Sequence, residues 1–155
     1  MAETLRMRRH MADFVPSATA WPGGARLSAL SDVDPRTLHA ILADAYSNGF
    51  GTVAGFADWW ASVKTDEEFD PALFFVAVNA DGAPIGLALC WTSGFIKDLA
   101  VVPAWRGRGI GDALLQEAFA AFHERGLPHV DLKVGAANAP ALGLYRRAGM
   151  VQAPL

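Results

Sequence analysis

The chain has 155 residues, enough for one domain with a sizeable core and short for two. Its net charge is −3 and its 13 lysines and arginines are scattered, so there is no footprint for nucleic acid. Although 52% of the residues are hydrophobic, no unbroken apolar run approaches the roughly 20 that cross a bilayer, and Arg6, Arg8, Arg9 and His10 precede no run of signal-peptide length; no membrane partner and a cytoplasmic location are expected.

Residues 1–24 lack clear periodicity and end in the turn-rich Trp21-Pro22-Gly23-Gly24, so they are expected as an N-terminal extension before a domain spanning 25–155. A first strand is expected over 25–30. Ser31, Asp32 and Asp34-Pro35 then supply capping chemistry for a helix whose apolar stripe is Leu38, Ile41, Leu42 and Ala45. After a glycine-rich turn at 49–55, Phe56, Trp59, Trp60 and Val63 mark a second helix, its aromatic stripe read as core. Residues 73–78 and 85–92 are apolar runs joined through Asn79-Ala80-Asp81-Gly82, a hairpin signal. A strand over 95–102 ends in Leu99-Ala100-Val101-Val102, an unbroken apolar run suited to the centre of a sheet. A helix opening at Gly111 carries Leu114, Leu115, Ala118, Phe119 and Phe122 on one stripe and stops at Gly126 and Pro128. Residues 130–134 form a further strand, and Asn138 caps a short helix with Pro140 in its first turn and Gly149 at its end.

Cys90 is the single cysteine and cannot form an internal disulfide. Its apolar neighbours suggest a buried, inert thiol; an acyl-carrying nucleophile is the alternative, and it would need a base such as His39, His123 or His129. Four scattered histidines and one cysteine have no metal-ligand spacing, so no metal is expected.

The chemistry concentrates in Arg106-Gly107-Arg108-Gly109-Ile110-Gly111, which links the apolar strand to a helix start. A helix N-terminus offers unpaired N–H groups and partial positive charge, and glycines remove the β-carbons that would hold a phosphate away from them. Arg106 and Arg108 can add charge-assisted hydrogen bonds; a glycine turn with two solvated arginines is the plainer alternative. A dinucleotide fingerprint fits poorly, because Asp112 occupies the place of its third small residue. A P-loop is excluded by the lack of Gly-Lys followed by Ser or Thr.

Leu99-Ala100-Val101, followed by Arg106-Gly107-Arg108-Gly109-Ile110-Gly111, resembles in order and spacing the motif of the GNAT superfamily of acyl-CoA-dependent N-acyltransferases. A second block, Asn138-Ala139-Pro140-Ala141-Leu142-Gly143-Leu144-Tyr145 with Gly149-Met150, is similar to the superfamily's downstream pattern, and the likeness spans roughly residues 25–150. It implies an α/β fold with a mixed central sheet splayed between its fourth and fifth strands (95–102 and 130–134), helices on both faces, and acetyl-CoA as acyl donor. It further implies that the amides of residues 106–111 hold the pyrophosphate and that pantetheine pairs with Leu99, Ala100 and Val101. The Val101 N–H would then face the thioester carbonyl. Asn138 would contact the cofactor, a role compatible with capping its helix. Tyr145 is the candidate general acid for the leaving thiolate, against a plain core tyrosine.

The chain departs from its relatives in two respects. Lys97 and Lys133 stand where several relatives place a glutamate base, which leaves Asp98 as the nearest replacement, or as a mere ion-pair partner. The acidic run Asp66, Glu67, Glu68 and Asp70 either attracts a cationic acceptor or is simply solvated. The C-terminal strand pair is truncated after Met150, with room for one short strand, so the N-terminal extension or a second subunit, as a homodimer, is expected to cover the sheet edge. The reading is an N-acetyltransferase acting by direct attack of a small-molecule or peptide amine. A non-catalytic acyl-CoA-binding module on the same fold is the rival, and a nucleotide-dependent oxidoreductase is a third class.

Overall fold

A computed structural model describes residues 3–47, 49 and 51–155. Met1 and Ala2 of the expected extension, and Phe50 of the expected glycine-rich turn, lie outside the described residues. The strands are β1 (Thr4–His10), β2 (Arg26–Ser28), β3 (Phe69–Val78), β4 (Pro84–Trp91), β5 (Phe95–Val101), β6 (His129–Gly135) and β7 (Val151–Ala153). The helices are α1 (Pro35–Tyr46), α2 (Phe56–Thr65), α3 (Ile110–Glu124) and α4 (Ala139–Arg147).

Capping chemistry sets two of the helix starts. The Asp34 carboxylate accepts from Arg36 N at 2.9 Å ahead of Pro35, and Asn138 Oδ1 accepts from Ala141 N at 3.4 Å ahead of α4. The strands form one mixed sheet in the order β2-β3-β4-β5-β6-β1-β7, antiparallel except for β5 with β6. On one face α1 and α2 bury Leu38, Ile41, Leu42, Trp59 and Val63. On the other, α3 and α4 bury Leu114, Phe119, Phe122, Leu142 and Tyr145. Phe119 and Phe122 are fully enclosed, and each contributes roughly 1.5–3 kcal/mol through removal of its ring from water.

The segment before residue 25 belongs to this sheet. β1 lies between β6 and β7, pairing with β6 from Thr4↔Gly135 to His10↔His129, and so covers the edge of β6 from within the chain. Met7, Met11 and Phe14 sink into the α3 side, with Phe14 edge-on to Phe119 at 6.2 Å. The alternation in β1 is carried by only Leu5 and Met7 among arginines, too short a pattern to announce a strand.

What holds β1 in register is charge. The buried Asp131 of β6 accepts from Arg8 Nε at 2.8 Å, Arg8 Nη2 at 2.9 Å and Arg6 Nη1 at 2.8 Å. Burial alone would push this carboxyl up, but the hydrogen bonds from Arg8 and Arg6 outweigh it and hold its pKa below the ordinary value. The stability this supplies is therefore present in full above the unfolded pKa of about 3.9 and is lost as pH falls through the lower folded value. Asp131→Asn is expected to cost about 2–3 kcal/mol at neutral pH. Urea unfolding should show that gap closing as pH falls below the unfolded value of about 3.9; a gap that persists in strong acid would refute the electrostatic account.

Candidate active site

The site begins where β5 and β6 stop pairing. Their ladder consists of Phe95↔Asp131 and Ile96↔Leu132, and beyond it the two strands run on without further pairs among the described residues. A β-bulge at the same level sharpens the change: Leu89 pairs with Asp98 and Cys90 with Ile96, so Lys97 is the extra residue. On a regular strand 96, 98 and 100 would share a face. Here Ile96 packs on the α3 side while Ala100 packs against α1, so the bulge turns Asp98 toward α1. Val102 N donates to Ile85 O of β4 at 2.9 Å, and strand alternation therefore aims the Val101 N–H the other way, into the gap. The run 99–101 is central, as expected, but Leu99 and Val101 are only half-buried because their side borders this gap.

Asp98 and Tyr145 lie near enough to each other for the Asp98 charge to act on the phenol. Asp98 is 4% exposed; Tyr46 of α1 donates its phenol hydrogen to Oδ1, and Lys97 Nζ lies 3.2 Å from Oδ2. Tyr145 projects from α4 on the opposite side and is 8% exposed. Burial, with the Asp98 charge adding to it, pushes its phenol up to about 12, so it holds its proton throughout the physiological range. Burial and Asp98 likewise push Tyr46 up. The two phenols differ in what they can do: the Tyr46 proton is committed to Asp98, whereas Tyr145 Oη makes no hydrogen bond among the described residues. Sequence reasoning missed Tyr46, although it follows Leu42 at helical spacing; its partner is 52 residues away. Burial also pushes the Cys90 thiol up, and Asp98 adds to this, which disfavours the thiolate a nucleophile requires.

The glycine segment opens α3 without a side-chain cap, as Gly55 opens α2, but in the left-handed region. Gly109 is the N-cap with φ 93° and no side-chain cap, and Ala113 N makes the first helical bond, to Gly109 O at 3.0 Å. The N–H groups of Ile110, Gly111 and Asp112 thus precede the ladder, uncapped. A β-carbon on Gly107 would meet nothing within 4 Å, and one on Gly109 only Pro22 Cγ at 3.9 Å, so the space over these amides is open. Gly111 has a packing duty as well, since a β-carbon there would come 3.0 Å from Leu144 Cδ2. Neither arginine lies loose in the loop. Arg106 Nε donates to Val101 O at 2.9 Å and Nη2 to Asp44 of α1 at 3.1 Å, while Arg108 stacks on Trp105 at 5.1 Å. Asn138 is seen as the cap of α4. Ile110 is fully buried under the helix start, anchoring it to the core.

Among the described residues no group of three metal-ligating side chains occurs, and no helix is long and apolar enough to cross a membrane. An apolar groove of about 740 Å³ between β2, α2 and β3, lined by Trp60, Phe69 and Phe74, contains none of the clustered groups at the gap. The acidic run is occupied locally: Asp66 accepts from Glu68 N, Glu68 from Ser93 N, and Asp70 pairs with Arg125 at 2.8 Å.

Known proteins share this arrangement. A family model for the acetyltransferase (GNAT) family matches residues 35–150. A streptothricin acetyltransferase of Streptomyces lavendulae is 44% identical over 80 residues, 48% of this chain and 42% of that protein. A mycothiol acetyltransferase of Propionibacterium freudenreichii subsp. shermanii is 30% identical over 154 residues, covering 94% of this chain and 49% of that one. The crystal structure of a GCN5-related N-acetyltransferase from Sphaerobacter thermophilus superposes with a TM-score of 0.81 at 34% identity, over 98% of this chain and 49% of that chain. The chain thus spans half or less of the length of these relatives. With the mixed sheet in place and the family model matching residues 35–150, the chain belongs to the acetyltransferase (GNAT) family.

Proposed function

We infer that this chain transfers an acetyl group from acetyl-CoA directly to a primary amine. The observation that carries the reading is the conjunction at one gap of an uncapped helix start with open space over its amides, an inward-facing strand N–H and a protonated, uncommitted phenol. The family model and the names of the relatives support acetyl transfer.

The donor supplies an activated thioester, and the protein's residues supply the rest. The amides of residues 107–112 hold its diphosphate, assisted by the α3 dipole, and Asn138 borders the cofactor while capping α4. Arg106 works at one remove, fastening the loop to Val101 O and to α1 rather than reaching for phosphate. The backbone of 99–101 aligns the donor in the gap, and the Val101 N–H stabilises negative charge developing on the carbonyl oxygen. Tyr145 gives its proton to the departing sulfur. Asp98, held by Tyr46 and Lys97, receives the amine proton through water.

Calorimetry with CoA and thiol release from acetyl-CoA across an amine panel test this. Binding together with amine-dependent thiol release is expected. Binding without release for any amine would favour a non-catalytic acyl-CoA-binding module, the alternative suggested by lysines at 97 and 133. No affinity for CoA would end both readings.

A further inference from the structure

A groove of about 700 Å³ lies on the face of the sheet opposite α3, bounded by Trp91 and floored by β6 and β1. Its location follows from alternation: Val130, Leu132 and Val134 point to the α3 core, so Asp131 and Lys133 face the other way, where α1 and α2 pack on β3, β4 and β5. That leaves this side of β6 and β1 to polar side chains, chiefly Arg6, Arg8, Asp131 and Lys133.

The charges do not cancel. Three side-chain cations, Arg6, Arg8 and Lys133, line the groove with two side-chain carboxylates: Asp131, which accepts from both arginines, and Glu68, whose Oε1 accepts from Ser93 N at 3.0 Å. Arg6 spends only Nη1 on Asp131, and Lys133 is exposed with no carboxylate partner among the described residues. An unneutralised ammonium and the spare N–H groups of a guanidinium therefore share one concave surface. Lys133 also lies just past Leu132, the last residue of β6 paired with β5, so the groove ends where that ladder stops.

We propose that this groove selects acceptors that carry an oxyanion as well as an amine, a carboxylate or a phosphate held by Lys133 and Arg6 so that the amine end reaches Asp98. The assignment rests on the acetyl-transfer reading for its purpose, but the binding step can be tested without turnover. Matched pairs supply the probes: glycylglycine against glycylglycinamide for a carboxylate, and O-phosphoethanolamine against ethanolamine for a phosphate. Titrated at constant ionic strength into the full chain labelled with ¹⁵N, the anion-bearing member of at least one pair is expected to shift the Arg6 Nε–H and the Lys133 amide. Its mate without the anion should leave them in place, and Lys133→Gln should weaken the anion-bearing probe by about fivefold. The pair that responds identifies the anion. In turnover, the same probe should show the lower KM. Equal shifts from amines with and without the anion, no shift from any probe, or an anion effect that survives Lys133→Gln would overturn the proposal. Failure to bind CoA would instead sink the acetyl-transfer reading, and the two failures are read in separate experiments.

Discussion

Replacing Tyr145 by Phe is expected to lower kcat by about 10²–10⁴-fold, with CoA affinity little changed. The ring is buried between α4 and the sheet, so Phe keeps the packing and deletes only an oxygen that makes no hydrogen bond among the described residues. The fold therefore loses little, while the departing sulfur loses its proton source. Because burial and the Asp98 charge raise the phenol to about 12, Tyr145 stays protonated across any practical assay range. A rate change near neutral pH must then come from the amine and the group that deprotonates it. The linkage sign gives a second readout: the neutral phenol is favoured in the fold, so its contribution to stability is complete below the unfolded pKa of about 10 and is lost as pH rises through about 12. The Phe variant should escape that alkaline loss. Wild-type kcat in the variant would remove Tyr145 from the mechanism.

Gly109→Val is expected to weaken CoA binding by about ten- to a hundredfold, measured by calorimetry, from two effects of similar size. At φ 93° the residue occupies the left-handed region, where a β-branched side chain costs roughly 1–2 kcal/mol, so the loop would shift to relieve it. The branched side chain would also enter the open space above the amides of Ile110 and Gly111. Gly111→Ala makes an informative contrast, since its β-carbon would press on Leu144 and act through the α3–α4 contact instead. If Gly109→Val folds and binds CoA as wild type does, the diphosphate is not held at this helix start.

The glycine-rich start of α3 was legible because its features are local. Glycines, a helix start and the preceding strand lie within a dozen residues, so composition and spacing suffice. The same holds for the capping residues Asp34 and Asn138, and for the stripe that buries Phe119 and Phe122. Two matched blocks then made the family recognisable, and the family model agrees. What the one-dimensional pattern could not carry were pairings across the chain. The expected extension before residue 25 is joined to the sheet by β1, whose arginines look like a solvated run until Asp131, more than a hundred residues later, is set beside them. Tyr46 became part of the site only when the extra residue Lys97 turned Asp98 toward α1. The unneutralised cations of the groove are visible only after each carboxylate has been assigned its partner. Sequence alone thus determined most of the elements from β2 to α4 and the glycine-rich start of α3, because hydrogen-bond capacity and hydrophobic period are properties of short segments. Tertiary structure decided which side chains face one another across the gap, because a strand's register and a single bulge choose the face on which every later residue falls.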